Sequence, residues 1–403
     1  MENKKTTMIS KFLLKLPILL CVLISIGCGG SDSNINSKVL SDKLQIIAED
    51  TRTTYPMTHS VVLSLRSNNG NGFAASGTIS PDSTKTPNEN SGIRIASVSK
   101  LFTATSIMLL AEQGKLSLDD SIATYLPASS IKGLSLINGK DYTATITIRQ
   151  LLSHRSGLAD YATDGEQSST GFTKFGQVQV DDPDRLWSLQ DTIDWTRDNL
   201  KTFSRPGQSF HYADTNFQLA GLIIESITKK PLYAAVRELI FDPLGMNETF
   251  DEFRETELKK KNELIHYFLG TTDVTSVRAL SADYAGGGWT SSTKDLNRFL
   301  QALTTGEILN KSSYEAMTTK LSDVTTFSAG SYGNVRTGYG LGVVIWKVDG
   351  LGTFIGHDGF FNTYAFYWVD EDAYLVGSLN ITPDSADYTS SFLNSADELR
   401  KFK

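Results

Sequence analysis

Ser97 and Lys100 stand three residues apart at the head of an apolar run, Leu101 to Ala111, that closes at Gly114. On a helix this spacing sets both side chains on one face, about one turn apart. A serine hydroxyl at a helix start lies at the positive end of the peptide dipoles, where a developing alkoxide is favoured. A lysine partly buried beneath it loses its proton more readily than one in water, and can accept the serine proton. The pair therefore has the makings of an activated nucleophile. The same spacing recurs at Ser129 and Lys132, Ser226 and Lys229, and Ser291 and Lys294. Those three fall in loops or at a helix end, where solvated polar residues explain them. Ser97 is flanked by Ile93, Ile95 and Ala96, which embeds it in core.

The elements that must hold this pair divide the chain in an uneven way. Leu40, Leu44 and Ile47 have helical spacing; the runs 59–65 and 72–79 read as strands joined through Asn68 to Asn71, a hairpin signal. From about 119 to 263 the pattern is helices and loops, including a one-sided apolar stripe from Phe217 to Ile227. Strand patterns return at 339–348, 353–355, 364–368 and 374–380. The expected fold is α/β of the α+β kind. An antiparallel sheet is built from both ends of the chain and flanked by helices, with a mostly helical inserted subdomain. One domain would span 39–403, its sheet part about 39–120 and 275–403 and its helical insertion about 121–274. The 403 residues, 40% hydrophobic, suffice for a large core.

Several segments line up in order with the superfamily of class C β-lactamases and DD-peptidases, serine hydrolases that include esterases and D-aminopeptidases. Ser97-Val98-Ser99-Lys100 resembles its nucleophile motif, and Leu151-Leu152-Ser153-His154-Arg155-Ser156-Gly157-Leu158 is similar to its LLxHxSGL signature. The segment 206–217, containing Tyr212 and Asp214, looks like PGxxFxYSN. Pro243 to Met246, Gly287-Gly288-Trp289, Tyr339 to Gly342 and Gly356-His357-Asp358-Gly359 complete the set. The resemblance covers roughly residues 40–400. It implies a β-lactamase/transpeptidase-like fold, an acyl-enzyme on Ser97, and a base role shared by Lys100 and Tyr212, whose phenol a nearby ammonium would make more acidic. It implies an oxyanion hole from the backbone N–H groups of Ser97 and Phe360, and substrate binding by Asp214, His357, Asp358 and Gly359. His154 is expected to orient a loop. No cofactor or metal is implied, and the five histidines show no metal-ligand spacing.

Three departures bear on substrate. The superfamily usually has lysine where His357 stands and a hydroxyl residue at Asp358, both of which help to hold a substrate carboxylate; Asp214 replaces an asparagine. Added anions favour a neutral ester or an amine-bearing substrate over a β-lactam. The leading reading is an esterase or D-amino-acid-type peptidase. D-Ala-D-Ala carboxypeptidase or β-lactamase is the alternative, and a catalytically silent lipoprotein that binds peptidoglycan or a partner is the rival from another class.

Residues 1–27 read as a leader. Lys4, Lys5, Lys11 and Lys15 precede an apolar run from Leu16 to Ile26 that is too short to span a membrane comfortably. Gly27-Cys28 at its end resembles the bacterial lipoprotein cleavage box, although Ser25 departs from the usual aliphatic residue. Cys28 would then carry lipid, residues 28–38 would form a flexible tether, and the protein would sit in the cell envelope, anchored to a membrane. Loss of the leader takes the net charge from −7 to −10, which excludes nucleic acid as a partner.

Overall fold

A computed structural model describes residues 30–167, 171–384 and 386–401. The expected leader and Cys28 lie outside the described residues. The first helix, α1 (Gly30–Thr54), takes in most of the segment expected as a tether. Residues 30–39 are mostly polar and set up no apolar stripe, so nothing in their pattern marks a helix. Burial begins at Leu40, as the spacing of Leu40, Leu44 and Ile47 implies.

Strands β1 (Ser60–Ser67) and β2 (Gly70–Gly77) form the expected hairpin, with Ser67 opposite Gly70 across a two-residue turn. Six further strands complete an eight-stranded sheet: β3 (Ser322–Ser328), β4 (Asn334–Tyr339), β5 (Val344–Val348), β6 (Gly352–Gly359), β7 (Thr363–Trp368) and β8 (Ala373–Ser378). Their order is β3-β4-β5-β6-β7-β8-β1-β2, each pair antiparallel. The first strand of the chain is thus joined to the last, with Val62 opposite Ser378.

Alternation along the strands feeds two cores. Val61, Leu63 and Leu65 face one side with Trp346, Phe354 and Phe366, and are covered by α1 and by α7 (Thr389–Arg400) through Leu44 and Phe392. Val62, Ile345, Ala365 and Val376 face the other side, against Phe102 and Ile107 of α2 (Lys100–Glu112) and Phe299 of α6 (Thr293–Thr304). Between α2 and β3 the chain is mainly helical. The helices that matter for the site are α3 (Ile148–Leu152), α4 (Asp214–Thr228) and the single turn α5 (Tyr284–Gly287).

One strand expected from the pattern is two. The run 339–348 breaks after Tyr339 and resumes at Val344. Gly342 has φ +73°, and a Cβ there would stand 2.5 Å from the Ala104 Cβ of α2. The glycine lets the turn press directly on the nucleophile helix, and a side chain would force them apart. Strand β3 had no signal, because it is an edge strand exposed along most of its length and needs no apolar face.

Candidate active site

Ser97 lies in a 3₁₀ turn, Ala96–Ser99, that runs straight into α2. Ala96 enters that turn with φ +44°, a left-handed conformation that costs a non-glycine residue energy and is held by its surroundings. Ile95 N–H donates to Trp289 O at 3.1 Å, and Trp289 N–H donates back to Ser99 Oγ at 3.3 Å. From the other side β6 ends against the turn. A Cβ on Gly359 would stand 2.3 Å from Ile95 O, so only glycine permits that approach. The contact brings the backbone of Phe360, the residue expected to complete the oxyanion hole, up to the turn that carries Ser97; its side chain is exposed.

Lys100 is wholly buried. Its Nζ donates to Ser97 Oγ at 2.9 Å, to Gly286 O at 2.9 Å and to the Asp214 carboxylate. An ammonium has three N–H donors, and here each meets an acceptor. Helix α5 is fixed to α2 a second time by Thr103 Oγ1, which donates to Ala285 O at 2.7 Å. Gly286 leaves room for the cage: a Cβ there would lie 2.8 Å from Asp214 Oδ1 and 3.4 Å from Lys100 Nζ, so the carboxylate would have to shift.

Tyr212 precedes α4, hydrogen-bonds to Ser97, and sets its ring 4.9 Å from Lys100 Nζ. The expected trio of Ser97, Lys100 and Tyr212 is therefore assembled in one place. The expected acidity of Tyr212 is not found. Burial and the Asp214 carboxylate hold its phenol well above the usual tyrosine value, with Asp358 and Asp160 adding to the effect and the Ser97 hydrogen bond opposing it. Asp214 pairs with the lysine whose charge was expected to act on the phenol.

His154 orients the loop that carries Tyr212, accepting from His211 N–H at its backbone oxygen (2.8 Å) and lying beside the chemistry as it does so. It adopts φ +54° after α3 and stacks on Tyr212 with ring centroids 4.2 Å apart. Its Nδ1 accepts from Ala213 N–H at 3.1 Å. Its Nε2 and that of His357 both meet the Tyr339 hydroxyl, at 3.2 and 3.0 Å. His357 is 2% exposed, with Nδ1 bonded to Asp358 O at 2.6 Å. Both ring nitrogens of His357, one of the residues expected to bind substrate, are thus engaged inside the protein. Asp358 points to the opposite face of β6, as strand alternation requires, where Tyr388 hydrogen-bonds to it. With 41% of its side chain exposed, it adds negative charge at the strand end.

The acids near Lys100 include two that the motifs did not single out. Asp160 is buried; it accepts from Asp214 N–H at 2.9 Å and from the Thr163 hydroxyl at 2.6 Å. Burial, then Asp214, push its carboxyl up to about 7. Asp283, 32% exposed in its side chain, pairs with Arg94 at 3.4 Å, and burial raises it. Asp160 sits two residues beyond Leu158 of the LLxHxSGL segment, and Gly286 one residue before the Gly-Gly-Trp segment, so both were within reach of the motif reading.

A family model described as Beta-lactamase matches residues 60–398. Penicillin-binding protein 4* of Bacillus subtilis is 28% identical over 330 residues, 77% of this chain and 65% of its own length. This chain thus spans just under two thirds of that relative, and 37% of Protein flp from Staphylococcus aureus, which is 30% identical over 209 residues. Among solved structures, a D-stereospecific amidohydrolase from Streptomyces sp. superposes with a TM-score of 0.70 at 25% identity, covering 88% of this chain and 98% of that one. The D-amino acid amidase of Ochrobactrum anthropi SV3, complexed with L-phenylalanine amide, gives a TM-score of 0.70 at 25% identity, covering 90% and 99%.

Proposed function

The chain belongs to the β-lactamase family of serine hydrolases, and from that premise we propose that it cleaves amides or esters of amine-bearing acyl groups, of the D-amino-acid kind, through an acyl-enzyme on Ser97. The observation that carries this is the cage around Lys100, in which Ser97, Asp214 and Gly286 take its three donors while Tyr212 bonds to the same serine. In acylation the Ser97 Oγ–C bond forms and the carbonyl carbon parts from its amine or alkoxide. The serine proton passes through the Lys100–Tyr212 pair to that leaving group. Water then attacks the ester, its proton returns through the same pair, and Ser97 is regenerated. The Ser97 and Phe360 amides would stabilise the oxyanion.

The substrate class follows from charge. Asp214 and Asp283 are partly exposed acids beside the nucleophile, and Asp358 adds negative charge from the far face of β6. A substrate ammonium would find acceptors among them, and a carboxylate would be repelled. An ammonium at Asp214 would also draw that carboxylate away from Lys100, and a lysine losing its counter-ion gives up a proton more readily. The amidase and amidohydrolase neighbours point the same way. A fluorophosphonate probe followed by peptide mapping tests the nucleophile, and no adduct on Ser97 would end the reading. A panel of D- and L-amino-acid amides, p-nitrophenyl esters and nitrocefin tests the class; preference for nitrocefin would refute it.

We further propose attachment to a membrane through lipid on Cys28. Cys28→Ser is expected to move the exported protein from the membrane to the soluble fraction, and a wild type already soluble after export would contradict it. Among the described residues no helix is long and apolar enough to cross a membrane.

A further inference from the structure

His154, Tyr339 and His357 form one buried hydrogen-bonded chain whose two ends are backbone groups of fixed polarity. At one end Ala213 N–H can only donate, so His154 Nδ1 must accept (3.1 Å) and its ring proton sits on Nε2. The Asn216 amide nitrogen, also 3.1 Å from that Nδ1, acts in the same sense. At the other end Asp358 O can only accept, so His357 Nδ1 carries a proton (2.6 Å), and in the neutral ring its Nε2 is then the acceptor. Tyr339 links the two: its oxygen accepts from His154 Nε2–H at 3.2 Å and its proton goes to His357 Nε2 at 3.0 Å. Every link has a single direction. A second proton on His357 would place an N–H against the Tyr339 hydroxyl, which already receives one from His154, and would leave the phenol proton without its acceptor.

His357 lies on the face of β6 shared with Gly359, the residue pressed against the Ser97 turn. A cation there would stand behind the nucleophile. We infer that Tyr339 and His154 are specificity-determining positioning residues, which hold His357 uncharged so that the site offers a substrate carboxylate no cation beyond the already satisfied Lys100. The groups packed around the imidazole favour the same state. Burial and Lys100 bring His357 down to about 3, and His154 also falls well below the usual histidine value, from burial, Lys100, His357 and His211. Tyr212 lies 6.3 Å away ring to ring and stays protonated. The opposing anions are Asp214, paired with Lys100, and Asp358, whose Oδ1 is 3.9 Å from His357 Nδ1.

The inference rests on the serine-hydrolase reading for its kinetic arm alone. With ¹⁵N-histidine-labelled protein, long-range ¹H–¹⁵N spectra from pH 5 to 8 should show His357 as the Nδ1–H neutral tautomer throughout; a charged ring in that range, or the other tautomer, overturns the inference whatever the protein catalyses. In kinetics, the kcat/KM ratio of nitrocefin to p-nitrophenyl acetate should be flat between pH 5 and 8 in the wild type. In Tyr339→Phe, which leaves burial and Lys100 in place but removes the hydrogen bond to Nε2, His357 should take up its second proton at a higher pH than in the wild type, and the ratio should rise about fivefold or more on acidification as a cation appears beside an anionic substrate. A His357 that titrates in this variant with no change in ratio refutes the specificity role, and so does one that stays neutral. If Tyr339→Phe fails to fold, His357→Gln decides: its ratio should stay as flat as the wild type's, and a pH dependence lost on substitution would mean that His357 was charged after all.

Discussion

Replacing Lys100 by Met tests both what the ion pair contributes to stability and what it contributes to reaction. Methionine keeps the apolar stem of this wholly buried side chain and removes the ammonium. The Asp214 carboxylate, 19% exposed in its side chain, is then left in the protein with no counter-ion. Removing one partner of a buried pair costs about 3–5 kcal/mol, and the partial exposure of Asp214 brings the expectation to or just below the bottom of that range, about 2–3 kcal/mol. Asp214→Asn in the same chain removes the orphaned charge, so the double variant should recover to within about 1 kcal/mol of the wild type by urea unfolding. Acylation should behave differently. Both Lys100→Met and the double variant should lose about three powers of ten or more in the rate of fluorophosphonate labelling at Ser97, about 4 kcal/mol of barrier, because neither has an amine beside Oγ. Two results would refute the reasoning: a double variant no more stable than Lys100→Met, or one that labels within about tenfold of the wild type.

Asp160→Asn should flatten the pH dependence of stability. A carboxyl raised from 3.8 to about 7 in the fold binds its proton more tightly there than in the unfolded chain, so stability falls as pH rises between those values, by at most about 4 kcal/mol; urea unfolding at pH 5 and pH 8 should show the variant gaining on the wild type at the higher pH. Gly286→Ala should slow Ser97 labelling about tenfold or more while shifting the unfolding midpoint little, since its Cβ would push the movable end of Asp214 and not backbone; normal labelling would mean that the cage around Lys100 tolerates distortion.

The order of motifs along the chain carried much of the fold and the central trio, because Ser97, Lys100 and Tyr212 each sit beside an element whose apolar pattern is strong. What was not legible has physical reasons. The separation of His357 from Asp358 was available in the period of two along a strand, but which face held the nucleophile depends on Gly359 meeting Ile95 across more than 260 residues of chain. The state of Tyr212 depends on which carboxylate reaches Lys100 first, and spacing is silent on that. Asp160 acts through a backbone N–H at the start of α4, a contact with no side-chain signature at its other end. The break at Gly342 was hidden because its cause, Ala104, lies on a different element.

The pairing of β1 with β8 has a consequence for how the chain comes to be folded. The hairpin of residues 60–77 is made early in any N-to-C appearance of the polypeptide, yet the strand that covers its inner edge, Ala373–Ser378, is nearly the last to arrive. Until then the edge of β1 presents unpaired N–H and C=O groups, the kind of surface that recruits a wrong strand. Closing a loop of some three hundred residues for this one contact makes folding slow compared with a chain of local contacts. The same seam makes cooperation compulsory: neither half of the sheet is complete without the other, so trimming the last strand would unseat the first. The nucleophile turn, gripped by the end of β6, takes its shape only once the two halves have met.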